Sequence, residues 1–100
     1  MDKNGYNPSL IKTTRPDTCL VCGKIGIPGD FARHEVFHGP LRKVSKQEGM
    51  WIYVCPECHE YLHQHQNDIV DISLKRAMQA LYEEKNGHEA FMQLIGKNYL

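Results

Sequence analysis

The distribution of apolar residues along the chain predicts two strands joined by a polar loop. Residues 50–54 are aromatic, β-branched or otherwise apolar throughout, a composition that favours a strand. Residues 31–37 contain Val36 among aromatic neighbours and predict a first strand, which His38-Gly39-Pro40 ends. Residues 38–49 are polar and basic, so we expect them to form the loop between the two strands.

A helix is predicted directly after the second strand, over residues 56–66. Pro56 suits the first helical turn, where a backbone N–H has no helical partner. Glu57 and Glu60 favour a helix N-terminus because they complement the positive end of the helix dipole.

Two further helices are expected toward the end of the chain. Residues 71–85 carry apolar side chains at helical spacing, with Asp68 or Asp71 as the candidate N-cap and Gly87 as the stop. Residues 89–95 predict a shorter amphipathic helix. The apolar stripes of these helices are expected to pack into the core or to form a homodimer face.

The first part of the chain is polar and is expected to be an arm. Residues 1–16 contain Pro8 and Pro16 and predict a loosely ordered segment with a short strand at residues 10–13. A chain of 100 residues allows a single domain. We therefore expect an arm over residues 1–16, a core over residues 17–66 and a helical extension over residues 67–100.

Charge and hydropathy exclude some classes of function and leave others open. The chain has 12 Lys/Arg and 12 Asp/Glu, so its formal net charge is zero, which argues against a strong nonspecific nucleic-acid binder. No apolar run approaches the roughly 20 residues that span a bilayer, so no membrane partner is expected. Because the chain lacks a recognisable signal peptide, we expect it in a reducing cytoplasm.

The four cysteines form two C-x-x-C pairs, Cys19 with Cys22 and Cys55 with Cys58. One such pair alone is also typical of a thiol-disulfide enzyme or of two unligated thiols, but two pairs in a small cytosolic chain indicate zinc. We predict that all four thiolates hold one structural Zn²⁺. A closed four-thiolate site has no open position, so this metal would stabilise the fold without taking part in a reaction.

The order of these elements predicts an α+β fold. A zinc knuckle, a hairpin, and a helix whose first turn supplies the last two cysteines make a zinc-stabilised treble clef. Two C-terminal helices are expected to follow this unit.

The histidines suggest a second metal site. His59 and His63 lie four residues apart on the predicted helix and share a face, whereas His65 lies about 240° around the helix from His59. His34 lies on the first strand, which must pass near this helix if the cysteines share one ion. Three neutral imidazoles would bind a divalent metal and leave positions for water and a phosphate oxygen. Alternatively, His59 caps the helix or hydrogen-bonds a zinc-bound sulfur, and His63 is solvated.

Together these segments resemble the HNH (His-Me finger) endonucleases, and most closely the small phage-encoded HNH-like proteins related to recombination-enhancement nucleases. The resemblance covers residues 17–66 and is carried by the following motifs: Arg33-His34-Glu35-Val36, the loop with Gly39, Arg42 and Ser45, Gly49-Met50-Trp51-Ile52-Tyr53-Val54-Cys55-Pro56-Glu57-Cys58-His59, and His63. It implies a ββα-metal finger that hydrolyses phosphodiester bonds of DNA.

The resemblance also implies roles for individual residues. His34, His59 and His63 would bind the second divalent ion (Mg²⁺, Mn²⁺, Ni²⁺ or Zn²⁺). Glu35 takes the position of the usual general-base histidine, a departure from the family pattern, although an ionised carboxylate can still accept a proton from water. Arg42 and Lys43 would contact DNA phosphates, unless they belong to a solvated loop.

A second alignment of the motif puts Arg33 at the ligand position and His34 at the base position. We favour the first alignment because an arginine side chain cannot bind a metal. His38, four residues after His34, is a reserve base.

The implied partner is DNA, together with a phage or host recombination protein, and the implied location is the cytoplasm of the host cell. The alternative function is a non-catalytic zinc-binding module that binds DNA or a protein partner.

Overall fold

A two-stranded sheet and four helices make up an α+β fold, seen in a computed structural model that describes residues 1–100. The elements in chain order are β1 (Ala32–Glu35), a 3-10 turn (Gly39–Leu41), α1 (Arg42–Gln47), β2 (Trp51–Val54), α2 (Pro56–Gln64), α3 (Ile69–Asn86) and α4 (His88–Ile95). None of the helices is long and apolar enough to cross a membrane.

Strands β1 and β2 pair antiparallel, with His34 opposite Ile52 and Glu35 opposite Trp51. Both strands are shorter than the sequence predicted, although the pairing continues beyond them through a hydrogen bond from Val36 N to Met50 O (2.9 Å). Successive side chains of a strand point to opposite faces of the sheet. His34 and Glu35 therefore leave β1 on different sides.

The prediction of a loop over residues 38–49 is wrong, because this segment contains the 3-10 turn and α1. The buried side chain of Ser45 stabilises the helical path: its Oγ accepts from Phe37 N (3.0 Å) and donates to Phe37 O. Ser45 O also accepts from Met50 N (2.8 Å). Gly49 ends the segment at a φ of 72°, a conformation that suits glycine.

The N-terminal arm has no strand at residues 10–13, so that prediction is also wrong, and the arm packs against the sheet instead. Trp51 Nε1 donates to Asn7 O (2.7 Å), and Leu10 N donates to Gly49 O (2.8 Å). The buried hydroxyl of Ser9 donates to Trp51 O (2.6 Å). A side chain at Gly49 would collide with the backbone of the arm, so this contact requires glycine.

The three later helices lie close to their predicted positions. Helix α2 ends at Gln64, two residues before the predicted end. Asp68 is the N-cap of α3, since its Oδ1 accepts from Val70 N (3.0 Å) and Asp71 N (3.1 Å). Gly87 separates α3 from α4, as its position in the sequence predicted.

One core joins the sheet to the C-terminal helices. The fully buried apolar side chains come from all parts of the chain after the arm: Val36, Met50, Ile52, Val54, Leu62, Met78 and Phe91. The rings of Phe37 and Phe91 are 5.9 Å apart and pack edge to face. The predicted helical extension therefore packs back on the sheet and its neighbouring segments, and burying a side chain such as Phe91 contributes about 1.5–3 kcal/mol.

Candidate functional site

The four cysteines meet at one point between the turn before β1 and the start of α2. Their sulfur atoms all lie within 4.8 Å of one another, and Cys22 Sγ and Cys55 Sγ are 3.8 Å apart. Four sulfurs at about 2.3 Å from a tetrahedral zinc ion lie about 3.8 Å from each other, whereas a disulfide needs about 2.05 Å. The cluster is thus compatible with a structural zinc site, as the sequence predicted.

Backbone N–H groups point at these sulfurs, as expected for a zinc knuckle. Cys22 N lies 3.5 Å from Cys19 Sγ, and Cys58 N lies 3.4 Å from Cys55 Sγ. Burial opposes ionisation of Cys19, but N–H donors led by that of Cys22 outweigh it and lower the pKa of this thiol to about 7. Burial and the neighbouring sulfurs raise the pKa of Cys58. Full ionisation of the cluster therefore calls for a cation among the sulfurs.

Three histidines converge beside the sheet: His34 from β1, His59 from the first turn of α2 and His63 from its last turn. The ligand nitrogens of His34, His59 and His63 all lie within 4.8 Å of one another. The Nε2 atoms of His59 and His63 are 3.1 Å apart, and the His34 ring centroid is 5.5 Å from each of the other two. The structure therefore brings together the three residues that the sequence selected.

His34 is the buried member of this cluster, with 1% of its surface exposed. Neither of its ring nitrogens has a hydrogen-bond partner, although a neutral imidazole carries one donor and one acceptor. Burial, and then the charges of His59 and His63, lower the pKa of His34 to about 4, so its lone pair is free at neutral pH. A cation would satisfy this nitrogen.

The donor set also indicates which ions fit. Imidazole nitrogens suit Zn²⁺, Ni²⁺, Cu²⁺ and Fe²⁺, whereas Mg²⁺ prefers carboxylate oxygens and water. Three histidines without a carboxylate ligand therefore favour a borderline ion such as Zn²⁺ or Ni²⁺ over Mg²⁺.

His59 and His63 line an open cleft of about 630 Å³, which we call the histidine cleft. The cleft is also lined by the following residues: Tyr6, Arg33, Glu35, His38, Gly39, Arg42 and Gln66. Two of the residues assigned from the sequence, Glu35 and Arg42, thus lie beside the histidine cluster. Lys43 does not line this cleft and lies on the neighbouring surface of α1.

Glu35 and Arg42 are paired with each other at this cleft. Arg42 Nε donates to Glu35 Oε1 at 2.7 Å, with Glu35 nearly buried and Arg42 largely exposed. Burial acts to raise the pKa of Glu35, but the hydrogen bond from Arg42 and further donors outweigh it, so the net shift is downward. Glu35 is therefore ionised at neutral pH and is a weaker proton acceptor than an unpaired carboxylate.

The other two histidines near the finger lie outside the cluster. The His38 ring is 5.9 Å from that of His63 and 6.3 Å from that of His34, so His38 remains a neighbour of the site. His65 stacks on Tyr61 at 4.3 Å, away from the cluster, as helical geometry predicted.

Sequence reasoning missed two groups at the site. Tyr6 comes from the arm and stacks on Arg33, whose guanidinium carbon is 4.4 Å from the Tyr6 ring centroid and whose Nη1 lies 2.9 Å from Asp2 Oδ2. No local pattern links residues so far apart in the sequence.

The second missed group is a buried ion pair on α3. Lys75 Nζ lies 2.8 Å from Asp71 Oδ2, and both side chains are buried. Asp71 Oδ1 and His38 Nε2 also lack partners, and together with the His34 ring nitrogens they are the only buried side-chain N and O atoms without one. The spacing of Asp71 and Lys75, four residues apart in a helix, is a signal in the sequence for an ion pair, whereas their burial is unusual for charged residues and is visible only in the structure.

Comparisons of the chain with protein-family models, curated proteins and solved structures find no match.

Proposed function

We propose that this protein is an HNH-type endonuclease that hydrolyses phosphodiester bonds of DNA with the help of a divalent metal. The observation that carries the proposal is the convergence of His34, His59 and His63, within 4.8 Å of one another, at an open cleft that also contains arginine and glutamate side chains. Nitrogen ligands, a carboxylate and guanidinium groups are the chemistry that phosphodiester hydrolysis requires.

We also propose that residues 17–66 form a treble clef of the ββα-metal type. The order of elements supports this: a C-x-x-C turn, two antiparallel strands, and a second C-x-x-C at the start of α2. Cys55 is the N-cap of α2, with its sulfur accepting from Cys58 N, so α2 contributes residues to both the thiolate cluster and the histidine cluster.

In this proposal, His34, His59 and His63 hold the ion through neutral imidazole nitrogens. An ion held there would supply Lewis-acid chemistry, polarising the phosphate and stabilising charge on the leaving oxygen. Arg42, exposed at the mouth of the cleft, contacts the phosphate through its guanidinium group. Glu35 orients the attacking water and accepts its proton.

The alternative is a zinc-stabilised module that binds DNA or a protein partner without cleaving it. The Glu35–Arg42 pair favours this function, because an arginine that holds the carboxylate at 2.7 Å competes with water for it. The reserve base, His38, has no partner for its buried Nε2 and lies outside the cluster of three.

The test is a plasmid-nicking assay of the zinc-loaded chain with Ni²⁺, Zn²⁺, Mn²⁺ or Mg²⁺ added. We expect nicking with the ions that imidazole prefers, and its loss in His34→Ala and His59→Ala. The matched control is His65→Ala, which removes an imidazole near the end of the same helix but outside the cluster and should keep activity. All variants should retain one zinc per chain and unfold cooperatively above the assay temperature, although His34→Ala removes a buried side chain and should lower the melting temperature.

If supercoiled plasmid stays intact with every ion, the nuclease proposal is wrong and the binding-module alternative remains. Equal activity in His34→Ala and in His65→Ala would show that the cluster of three histidines is not the catalytic site.

A further inference from the structure

The histidine cleft continues into a second cleft that runs over α1, which we call the basic cleft. It has a volume of about 580 Å³ and shares Gly39 and Arg42 with the histidine cleft. Its remaining walls include Lys43, Lys46 and Gln47, and no acidic side chain lines it. A positively charged surface thus extends from the edge of the candidate metal site along α1.

Contacts from the arm and from β1 hold two of its cations in place. Lys46 Nζ lies 4.7 Å from the Tyr6 ring centroid, in a cation–π contact. Arg42 is held by Glu35 at 2.7 Å. These restraints reduce the side-chain entropy that would be lost when an anion binds.

The spacing of the two cations suits a polynucleotide backbone. Arg42 and Lys46 are four residues apart on α1, so they lie on the same face, about 6 Å apart along the helix axis. The rise of two nucleotides in one DNA strand is about 7 Å. Phosphates two nucleotides apart on one strand can therefore meet Arg42 and Lys46 of this helix.

We propose that one strand of DNA passes from the histidine cleft into the basic cleft, where Lys43 and Lys46 bind the phosphates next to the scissile one. This inference rests on the proposed nuclease function and specifies its substrate. The substrate is then a polynucleotide with phosphates beyond the scissile one, bound by its backbone and without sequence readout. A membrane surface fits the cleft less well, because its cations are not flanked by an exposed apolar face.

The binding test uses the full zinc-loaded chain and a fluorescein-labelled single-stranded DNA dodecamer, without added divalent metal. We compare the double variant Lys43→Gln/Lys46→Gln with Lys12→Gln/Lys85→Gln, which makes the same charge change at exposed lysines outside both clefts. For the first variant we expect about tenfold weaker binding at low salt. We also expect a plot of log Kd against log salt that is less steep by about 1.4, for two lost contacts to a single strand.

Equal loss of affinity in both double variants would overturn the proposal, since the effect would then be one of net charge. Unchanged affinity in Lys43→Gln/Lys46→Gln would also overturn it. An RNA dodecamer of the same sequence that binds more tightly than the DNA would overturn the assignment to DNA.

A second assay distinguishes failure of this inference from failure of the proposed function. Bis(4-nitrophenyl) phosphate has one phosphodiester and nothing to occupy the basic cleft. With Ni²⁺ added, we expect Lys12→Gln/Lys85→Gln to hydrolyse both substrates at the parental rates, whereas Lys43→Gln/Lys46→Gln should raise KM for the dodecamer about tenfold, in line with the loss in binding. If the parent chain hydrolyses neither substrate, the nuclease proposal fails. The DNA-binding assay alone then decides whether DNA follows the basic cleft.

Discussion

Arg42 Nε donates a hydrogen bond of 2.7 Å to Glu35 Oε1, so the predicted phosphate contact and the predicted general base are partners of each other. Arginine can bind a phosphate through two parallel N–H···O hydrogen bonds, the same bidentate geometry that it uses with a carboxylate. A phosphate that enters the histidine cleft would therefore compete with Glu35 for Arg42. Substrate binding would then release the carboxylate beside the candidate metal site.

Replacing Glu35 tests whether this carboxylate is the base. If it is, Glu35→Gln should lower the nicking rate by about 10²–10⁴-fold, because general-base catalysis contributes on this scale. The matched control is Glu60→Gln, which changes an exposed glutamate of α2 that bonds Gln64 and should not alter the rate. Rates measured at saturating DNA with Ni²⁺ check the prediction. A Glu35→Gln rate within a few-fold of the parent would assign Glu35 the lesser role of holding Arg42.

The thiolate cluster should be required for folding. Cys19 is 1% exposed at the centre of the cluster, and Cys19→Ser would leave zinc with three sulfur ligands. We expect zinc content to fall well below one per chain and the cooperative thermal transition to be lost. The control is Thr18→Ser, a change beside Cys19 that leaves every thiol in place. Zinc analysis with circular dichroism melting measures both; a Cys19→Ser chain that melts like the parent would contradict the structural role.

Features of this fold that depend on residues close together in the sequence could be predicted, and most features that depend on contacts between distant residues could not. The end of β2 and the start of α2 are encoded within a few residues of Cys55, so the sequence predicts them closely. The caps at Asp68 and Gly87 are equally local. The thiolate cluster joins residues 33 or more apart in the sequence, but two C-x-x-C pairs in a small chain are enough to predict it. The histidine cluster was predictable because two of its members share a helix face and the zinc ligands constrain the position of β1.

The missed features depend on contacts between distant parts of the sequence. The sequence predicts a loop in place of α1 because this polar segment has no apolar periodicity, and the bonds between Ser45 and Phe37 that stabilise the helix span eight residues. The packing of the arm rests on bonds between Ser9 and Trp51, 42 residues apart. No composition or spacing rule reveals such pairs.

The buried ion pair on α3 should contribute strongly to stability. Asp71→Asn would leave the Lys75 ammonium in the interior without its counter-charge, and losing one partner of a buried pair costs about 3–5 kcal/mol. Lys24→Gln breaks the exposed pair with Glu57, 3.6 Å apart, and should leave stability unchanged. Urea unfolding of both variants and the parent measures the loss of stability in each. The double change Asp71→Asn/Lys75→Met should recover part of the loss, and equal midpoints for Asp71→Asn and Lys24→Gln would contradict the buried role.

The buried imidazole of His34 should make stability depend on pH in a predictable direction. Burial and the neighbouring histidines lower the pKa of His34 to about 4 in the folded protein. In the unfolded chain the value is about 6.5, so between these values the unfolded state binds a proton that the folded state does not. The contribution of neutral His34 to the free energy of unfolding is therefore fully present above about pH 6.5 and is lost as the pH falls toward about 4.

The difference between the parent and His34→Gln isolates this effect, because the other titrating groups remain in both proteins. Urea unfolding between about pH 7 and 5 should show the parent losing stability faster than the variant as the pH falls. Zinc retention has to be measured at each pH, since protonation of the thiolates also releases metal. Saturating Ni²⁺ should steepen the dependence of the parent alone, because the ion binds the neutral imidazoles of the folded chain and protons compete with it. Parallel curves for the two proteins, with and without Ni²⁺, would show that His34 neither resists protonation in the fold nor binds the ion.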